Sequence, residues 1–160
     1  MEGHLSVTGI GPVYVATISV MTLVSVILST GSHVPFVGYG VLDIPMKVLG
    51  AAMVLFGVWM WYSTVIKGRI SSEIEQNHLV TDGMYACVRN PIYSAFTIAE
   101  WGILMIFGNA LLLFAVPLYW ALMTVMLVRT EERWLADLYG DEYTEYCRKV
   151  NRCMPWFPRR

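Results

Sequence analysis

Charge is what this chain lacks most. Of its 160 residues only 14% are Asp, Glu, Lys or Arg, against about 25% in a soluble domain, and 56% are hydrophobic. That ratio excludes a water-solvated surface of ordinary size. The length fits one unit, so residues 1–160 read as a single domain whose solvent is lipid. Cysteine is scarce as well: Cys87, Cys147 and Cys153 are an odd number without C-x-x-C spacing, which argues against a structural disulfide set and leaves no metal site to expect. No Gly-rich dinucleotide loop is visible, which disfavours a reductase. Internal repeats and low-complexity linkers are missing too; the net charge of −1 says little about partners, and nucleic acid is not expected among them.

Long hydrophobic runs are abundant. A bilayer core about 30 Å thick takes about 20 helical residues, and four runs approach that length: residues 11–30, 44–66, 92–107 and 110–128. The first has no Lys or Arg in the ten residues before it and three more runs after it, so it reads as a retained helix. The third is short, but only Gly108 and Asn109 separate it from the fourth. Such a pair can take the left-handed conformations of a tight turn, so the two runs read as a helical hairpin. The fold class is therefore all-α, an integral membrane bundle of about four transmembrane helices.

Cations set the orientation. Of the 11 Lys and Arg, all but Lys47 lie between the second and third runs (Lys67, Arg69, Arg89) or after the fourth (Arg129, Arg133, Arg148, Lys149, Arg152, Arg159, Arg160). The positive-inside rule then places both termini and the segment from His78 in the cytoplasm. Residues 129–150 carry charges throughout, yet Trp134, Leu135, Leu138, Tyr139, Tyr143, Tyr146 and Val150 recur at helical spacing. This is a cytoplasmic amphipathic segment of one or two helices, broken near Gly140 and Asp141.

One polar interruption stands out: HLVTDGMYACVRNPIY, His78 to Tyr93. Gly83 suits a turn, Pro91 suits the first turn of a helix, and Asn90 before it is pushed toward extended backbone. A folded loop entering the third helix would bring His78, Asp82, Tyr85, Arg89, Asn90 and Tyr93 together. If the third and fourth helices form a hairpin, Arg129-Thr130-Glu131-Glu132 leaves it beside that loop. Polar donors then face paired carboxylates, an arrangement suited to a small zwitterionic cofactor at the membrane surface.

The residues His78, Val80, Gly83, Tyr85, Arg89, Pro91 and Tyr93 resemble the S-adenosylmethionine-binding region of the isoprenylcysteine carboxyl methyltransferases. Glu131-Glu132, Leu135, Tyr139-Gly140, Glu142-Tyr143, Tyr146 and the basic, proline-ended tail are similar to the same family's C-terminal signature. Phospholipid-amine methyltransferases share the carboxylate pair and general plan. The resemblance covers about residues 76–158. It implies a cofactor loop over residues 76–91, with His78, Leu79, Val80, Gly83, Tyr85, Arg89, Asn90, Pro91 and Tyr93 around S-adenosylmethionine. It further implies Glu132 at the cofactor's amino or ribose groups, and Glu131 with Arg129 as catalytic residues near the acceptor. One departure matters: Asn90 stands where the family commonly has His, and Asn cannot hold a proton near neutrality.

Glu100 falls seven residues after Tyr93, on the same helix face and about 10 Å deeper. An acid at that depth is either a substrate contact or a hydrogen-bonded packing residue. The resulting expectation is a membrane methyltransferase that takes S-adenosylmethionine from the cytosol and a lipophilic acceptor from the bilayer, foremost an isoprenylcysteine-type carboxylate. A phospholipid or other amine acceptor is the rival within the enzyme class. A non-catalytic membrane binding protein of the same fold is the rival outside it.

Overall fold

The computed structural model describes residues 10–66 and 78–156; Lys67, Arg69, Gln76, Arg159 and Arg160 lie outside them. Among the described residues every regular element is helical. Helix α1 spans Gly11–Thr30, α2 Asp43–Val65, α3 Pro91–Ile106, α4 Ala115–Arg129, α5 Glu131–Tyr139 and α6 Asp141–Lys149. Short 3-10 turns cover Gly40–Leu42, Gly83–Ala86 and Ala110–Phe114. Pro91 opens α3 where its missing N–H costs no hydrogen bond, and Gly140, at φ +53°, separates the two amphipathic helices.

Among the described residues, three stretches are long and apolar enough to cross a membrane: Gly11–Thr30, Gly40–Val65 and Ala110–Tyr139. Helix α3, with 16 residues, is about 24 Å long and is the short member of the bundle. It nevertheless joins the same two ends as α1. The bundle's outer surface is apolar, with Val20, Leu23, Leu55 and Phe114 all more than half exposed, as a lipid solvent requires.

Packing is closest between α2 and α3, and its cause is the absence of side chains. A Cβ on Gly50 would lie 2.7 Å from the Gly102 carbonyl oxygen, and one on Gly57 would lie 2.6 Å from that of Ala95. A Cβ on Gly102 would collide with the Gly50 carbonyl in return. With no apolar driving force between helices in lipid, such backbone approach is a main source of association.

The turn between α3 and α4 differs from the expected pair of left-handed residues. Gly108 alone takes that conformation, at φ +78°. Asn109 is extended, at φ −102° and ψ 112°, because its fully buried side chain is occupied elsewhere. Its Nδ2 donates to Ser29 Oγ at 2.8 Å and the Pro35 carbonyl at 3.1 Å, while Oδ1 accepts from the Val37 and Leu111 amides at 3.2 and 3.1 Å. All four hydrogen-bonding positions of the amide are thus used, and they tie the α1–α2 loop to the hairpin turn. The opposite end of the bundle, where α1 and α3 begin and α4 gives way to α5, carries the candidate site.

Candidate active site

Two acids in the first turn of α5 organise this end. Helix α4 breaks only at Thr130 before α5 begins with Glu131 and Glu132, and acids are favoured at a helix N-terminus by its dipole. Glu131 accepts hydrogen bonds from the Tyr93 hydroxyl on α3 and from the Ile10 amide at 3.0 Å, at the start of α1. Three helices therefore converge on one carboxylate.

Glu132 faces the other way. Arg152 grips it with two hydrogen bonds, Nε to Oε1 at 2.7 Å and Nη2 to Oε2 at 2.9 Å, the bidentate geometry that makes guanidinium–carboxylate pairs strong. Arg89 Nη2 stands 3.4 Å from the same Oε1, and Arg89 Nη1 meets Cys147 Sγ. Both Arg89 and Glu132 are close to nine-tenths buried.

The segment after α6 is strapped across the loop that enters α3. Three successive carbonyls are held: Asn151 by the Arg89 amide at 2.9 Å, Arg152 by Asn90 Nδ2 at 3.1 Å, and Cys153 by Ser94 Oγ at 2.7 Å. Trp156 returns an amide to the Cys87 carbonyl at 3.0 Å, and the Tyr146 hydroxyl donates to the Tyr85 carbonyl at 2.6 Å. Leu79 packs against Tyr143, Tyr146 and Val150 beneath this strap.

Burial is the first cause of every tyrosine shift here. It pushes Tyr85 up to about 12, with the charge of Glu131 adding to the effect, and it raises Tyr143 and Tyr146 as well. All three stay protonated donors near neutrality. Arg152 is raised by its hydrogen bond to Glu132.

Of the residues singled out from sequence, Tyr93 and Arg89 do meet Glu131 and Glu132. Pro91 is buried at the helix start and Val80 is half-buried, while His78 and Gly83 are exposed. Asn90 spends its amide nitrogen on the strap. Arg129 is exposed at the end of α4 and makes no ion pair among the described residues. Glu100 is buried deeper in the bundle, where Ser19 Oγ donates to its Oε1 at 2.7 Å. Sequence reasoning missed Arg152 and the Ile10 amide. Arg152 counted only as one more cytoplasmic cation, and a backbone amide carries no signal at all.

Glu100 belongs to a line of hydroxyls between α1, α3 and α4. Tyr14 Oη and Thr97 Oγ1 are 2.7 Å apart, as are Thr22 Oγ1 and Tyr119 Oη, and the ring of Tyr14 lies 5.4 Å from that of Tyr93.

The chain is 39% identical over 92 residues to protein-S-isoprenylcysteine O-methyltransferase of Schizosaccharomyces pombe, covering 56% of this chain and 38% of that protein. It is 37% identical over 90 residues to methanethiol S-methyltransferase 1 of Bradyrhizobium diazoefficiens, 50% of this chain and 30% of the relative. It is also 31% identical over 114 residues to the cobalt-zinc-cadmium resistance protein CzcN of Cupriavidus metallidurans, 71% and 48%. The chain thus spans less than half the length of each of these relatives. No solved structure matches it. The phospholipid methyltransferase family model matches residues 45–142, from the first turn of α2 to the first turn of α6 and through both acids, and the chain belongs to that family.

Proposed function

We propose that the chain is an S-adenosylmethionine-dependent methyltransferase of the bilayer, acting on a lipophilic acceptor, foremost an isoprenylcysteine-type carboxylate. The observation that carries this reading is the pair Glu131 and Glu132, adjacent in sequence yet turned to different partners. One acid faces Tyr93 and the bundle; the other faces Arg89 and Arg152 under the strap. A zwitterionic nucleoside cofactor and an acceptor from lipid need two neighbouring sites of this kind.

The residues fit the cofactor chemically. Its ammonium and ribose hydroxyls call for a carboxylate, which Glu132 supplies, and its carboxylate calls for a spare cationic donor. Arg89 Nε is buried without a hydrogen bond among the described residues. His78, Leu79, Val80, Gly83, Tyr85, Asn90, Pro91 and Tyr93 are assigned to the same pocket. When bound, the cofactor supplies a methyl group on a cationic sulfur.

What the chain itself must do is align and exclude. A carboxylate acceptor has no proton to remove, so holding its oxygen near the methyl donor provides most of the acceleration. Arg129, without an ion-pair partner among the described residues, is assigned to that acceptor carboxylate in a charge-assisted pair. Glu131 already accepts two hydrogen bonds, an arrangement suited to fixing Tyr93 and α1. For an amine acceptor Glu131 would instead serve as base.

The site end is assigned to the cytoplasm. Arg89, Arg129, Arg133, Arg148, Lys149 and Arg152 lie there, whereas Lys47 near the other end is paired with Asp43 at 2.7 Å. Residues 1–160 are taken to act as one domain.

The test is methyl transfer by the purified chain from labelled S-adenosylmethionine to prenylcysteine analogues, phosphatidylethanolamine and a small thiol. Label in a prenylcysteine ester is expected. Label confined to the amine lipid would replace the carboxylate reading, and no transfer with no cofactor binding would leave a binding protein of this fold.

A further inference from the structure

A tyrosine ring and a glutamate carboxyl both turn about side-chain bonds, so a hydrogen bond between them does not hold itself in place. Tyr93 donates to Glu131 Oε1, and the Ile10 amide donates to the same oxygen at 3.0 Å. The support for the Tyr93 ring comes from α1 as well. The Tyr14 ring lies 5.4 Å from it, tilted by 46°, and Gly11 lies beside the hydroxyl, near enough that a Cβ there would stand 3.5 Å from Tyr93 Oη.

Tyr14 is itself fixed at its far end. It is fully buried, its hydroxyl and Thr97 Oγ1 are 2.7 Å apart, and the same hydroxyl stands 3.4 Å from the Tyr119 carbonyl oxygen. Thr97 in turn donates to the Tyr93 carbonyl at 2.8 Å, one turn back on α3. The hydroxyl of Tyr14 therefore joins three helices while its ring abuts a phenol that touches Glu131. Filling the core asks for less: Ile18, one turn further along α1, is as deeply buried with an aliphatic side chain. Residues 10–14 lie outside the region 45–142 that matches the family, so their role rests on this geometry alone.

We propose that Tyr14 is a positioning residue for methyl transfer, its ring holding the Tyr93 hydroxyl against Glu131 so that the first helix sets the direction of that carboxylate. The reaction rests on the methyltransferase reading; the positioning does not. Tyr93 is assigned to the cofactor and Glu131 to the acceptor, so a fixed Tyr93–Glu131 pair aligns the two ligands, and alignment is the main source of acceleration.

The experiment uses the full chain in phosphatidylcholine nanodiscs and three variants. Tyr14→Leu removes the ring, Tyr14→Phe keeps it, and Ile18→Ala gives the cost of an ordinary core loss one turn away; if Tyr14→Leu does not fold, Tyr14→Met is read in the same way. Position is read by fluorine NMR with 3-fluorotyrosine in place of Tyr93, and Glu131→Ala marks the resonance of a released hydroxyl. Reaction is read as kcat and KM for whichever of a prenylcysteine, phosphatidylethanolamine and a small thiol the wild type methylates, with S-adenosylhomocysteine affinity measured beside them. Tyr14→Leu should move the resonance toward that of Glu131→Ala and lower kcat about tenfold or more, with KM and affinity within about twofold. Tyr14→Phe and Ile18→Ala should keep the wild-type resonance and kcat. An unmoved resonance in Tyr14→Leu overturns the proposal, as does a moved resonance with unchanged kcat. Equal loss of kcat in Ile18→Ala or in Tyr14→Phe overturns it too. If the wild type methylates none of the three acceptors, the proposed function falls, and the resonance alone decides whether Tyr14 positions Tyr93.

Discussion

Helix α3 presents two opposite faces, and they are built on opposite principles. Toward α2 it offers Ala95, Ala99 and Gly102, and the backbones of the two helices touch. Toward α1 and α4 it offers Tyr93, Thr97 and Glu100, and the side chains touch through hydroxyls. The first seam holds because atoms are missing, the second because particular atoms are present. Interhelical hydrogen bonds in membranes average only about 0.6 kcal/mol, so the hydroxyl seam is not where the bundle gains most of its cohesion. A buried polar line that contributes little to stability is better explained by the site it leads to. The family match, over residues 45–142, contains both helices of the glycine seam, whereas α1 lies outside it.

The largest effect should come from filling the glycine seam. Gly102→Leu places a side chain where even a Cβ collides with the Gly50 carbonyl. Its cost should reach the upper end of ordinary overpacking, about 3 kcal/mol, seen as a large fall in melting temperature in detergent. Gly11→Ala is the control on the other seam, because its Cβ would meet Tyr93 Oη at 3.5 Å, an ordinary contact. Equal losses in the two variants would break the distinction between the faces.

Glu132→Ala comes next, at the acid beside the one on which the hydroxyl seam ends. Removing the carboxylate assigned to the cofactor's ammonium and ribose should weaken cofactor binding by about 1.5–3 kcal/mol, measured by calorimetric titration. An unchanged affinity would reduce Glu132 to an acid that suits the helix dipole.

Smaller again is Glu100→Gln. The amide oxygen can accept from Ser19 as the carboxylate does at 2.7 Å, so with a carboxylate acceptor the variant should act almost like wild type. A large rise in KM specific to an amine lipid, with cofactor affinity spared, would show that Glu100 attracts a cation and would move the acceptor to the amine class.

Of the stability effects, Thr22→Val should be smallest, about 0.6 kcal/mol for the lost bond to Tyr119. A loss of several kcal/mol would mean that the hydroxyl seam is a scaffold after all.

The sequence made the helices legible because each is a long apolar run. Residues 11–30 match α1 end to end, and the break at Gly140 was marked by the glycine itself. What stayed hidden depends on distant partners. Asn109 reads locally as a turn residue, yet its partners Ser29, Pro35 and Val37 lie 80, 74 and 72 positions away. The glycine seam was invisible for a different reason: within an apolar run a glycine leaves no side chain to mark which face it occupies. At the site, motif resemblance brought Tyr93 and Arg89 to the two acids, but pairing is a matter of direction. Only the fold turns Glu131 toward Tyr93 and Glu132 toward Arg152, a residue on the far side of two short helices.

The strap also sets a clock. Arg89, Asn90 and Ser94 find their carbonyl partners on Asn151, Arg152 and Cys153, and Cys87 finds its partner on Trp156. During synthesis the four apolar helices emerge first and can enter the bilayer, while the loop into α3 has nothing to close on. Glu132 likewise waits for Arg152. The site therefore closes only after Trp156 has left the ribosome, and a nascent chain stalled before that point would be inserted in the membrane without a closed site.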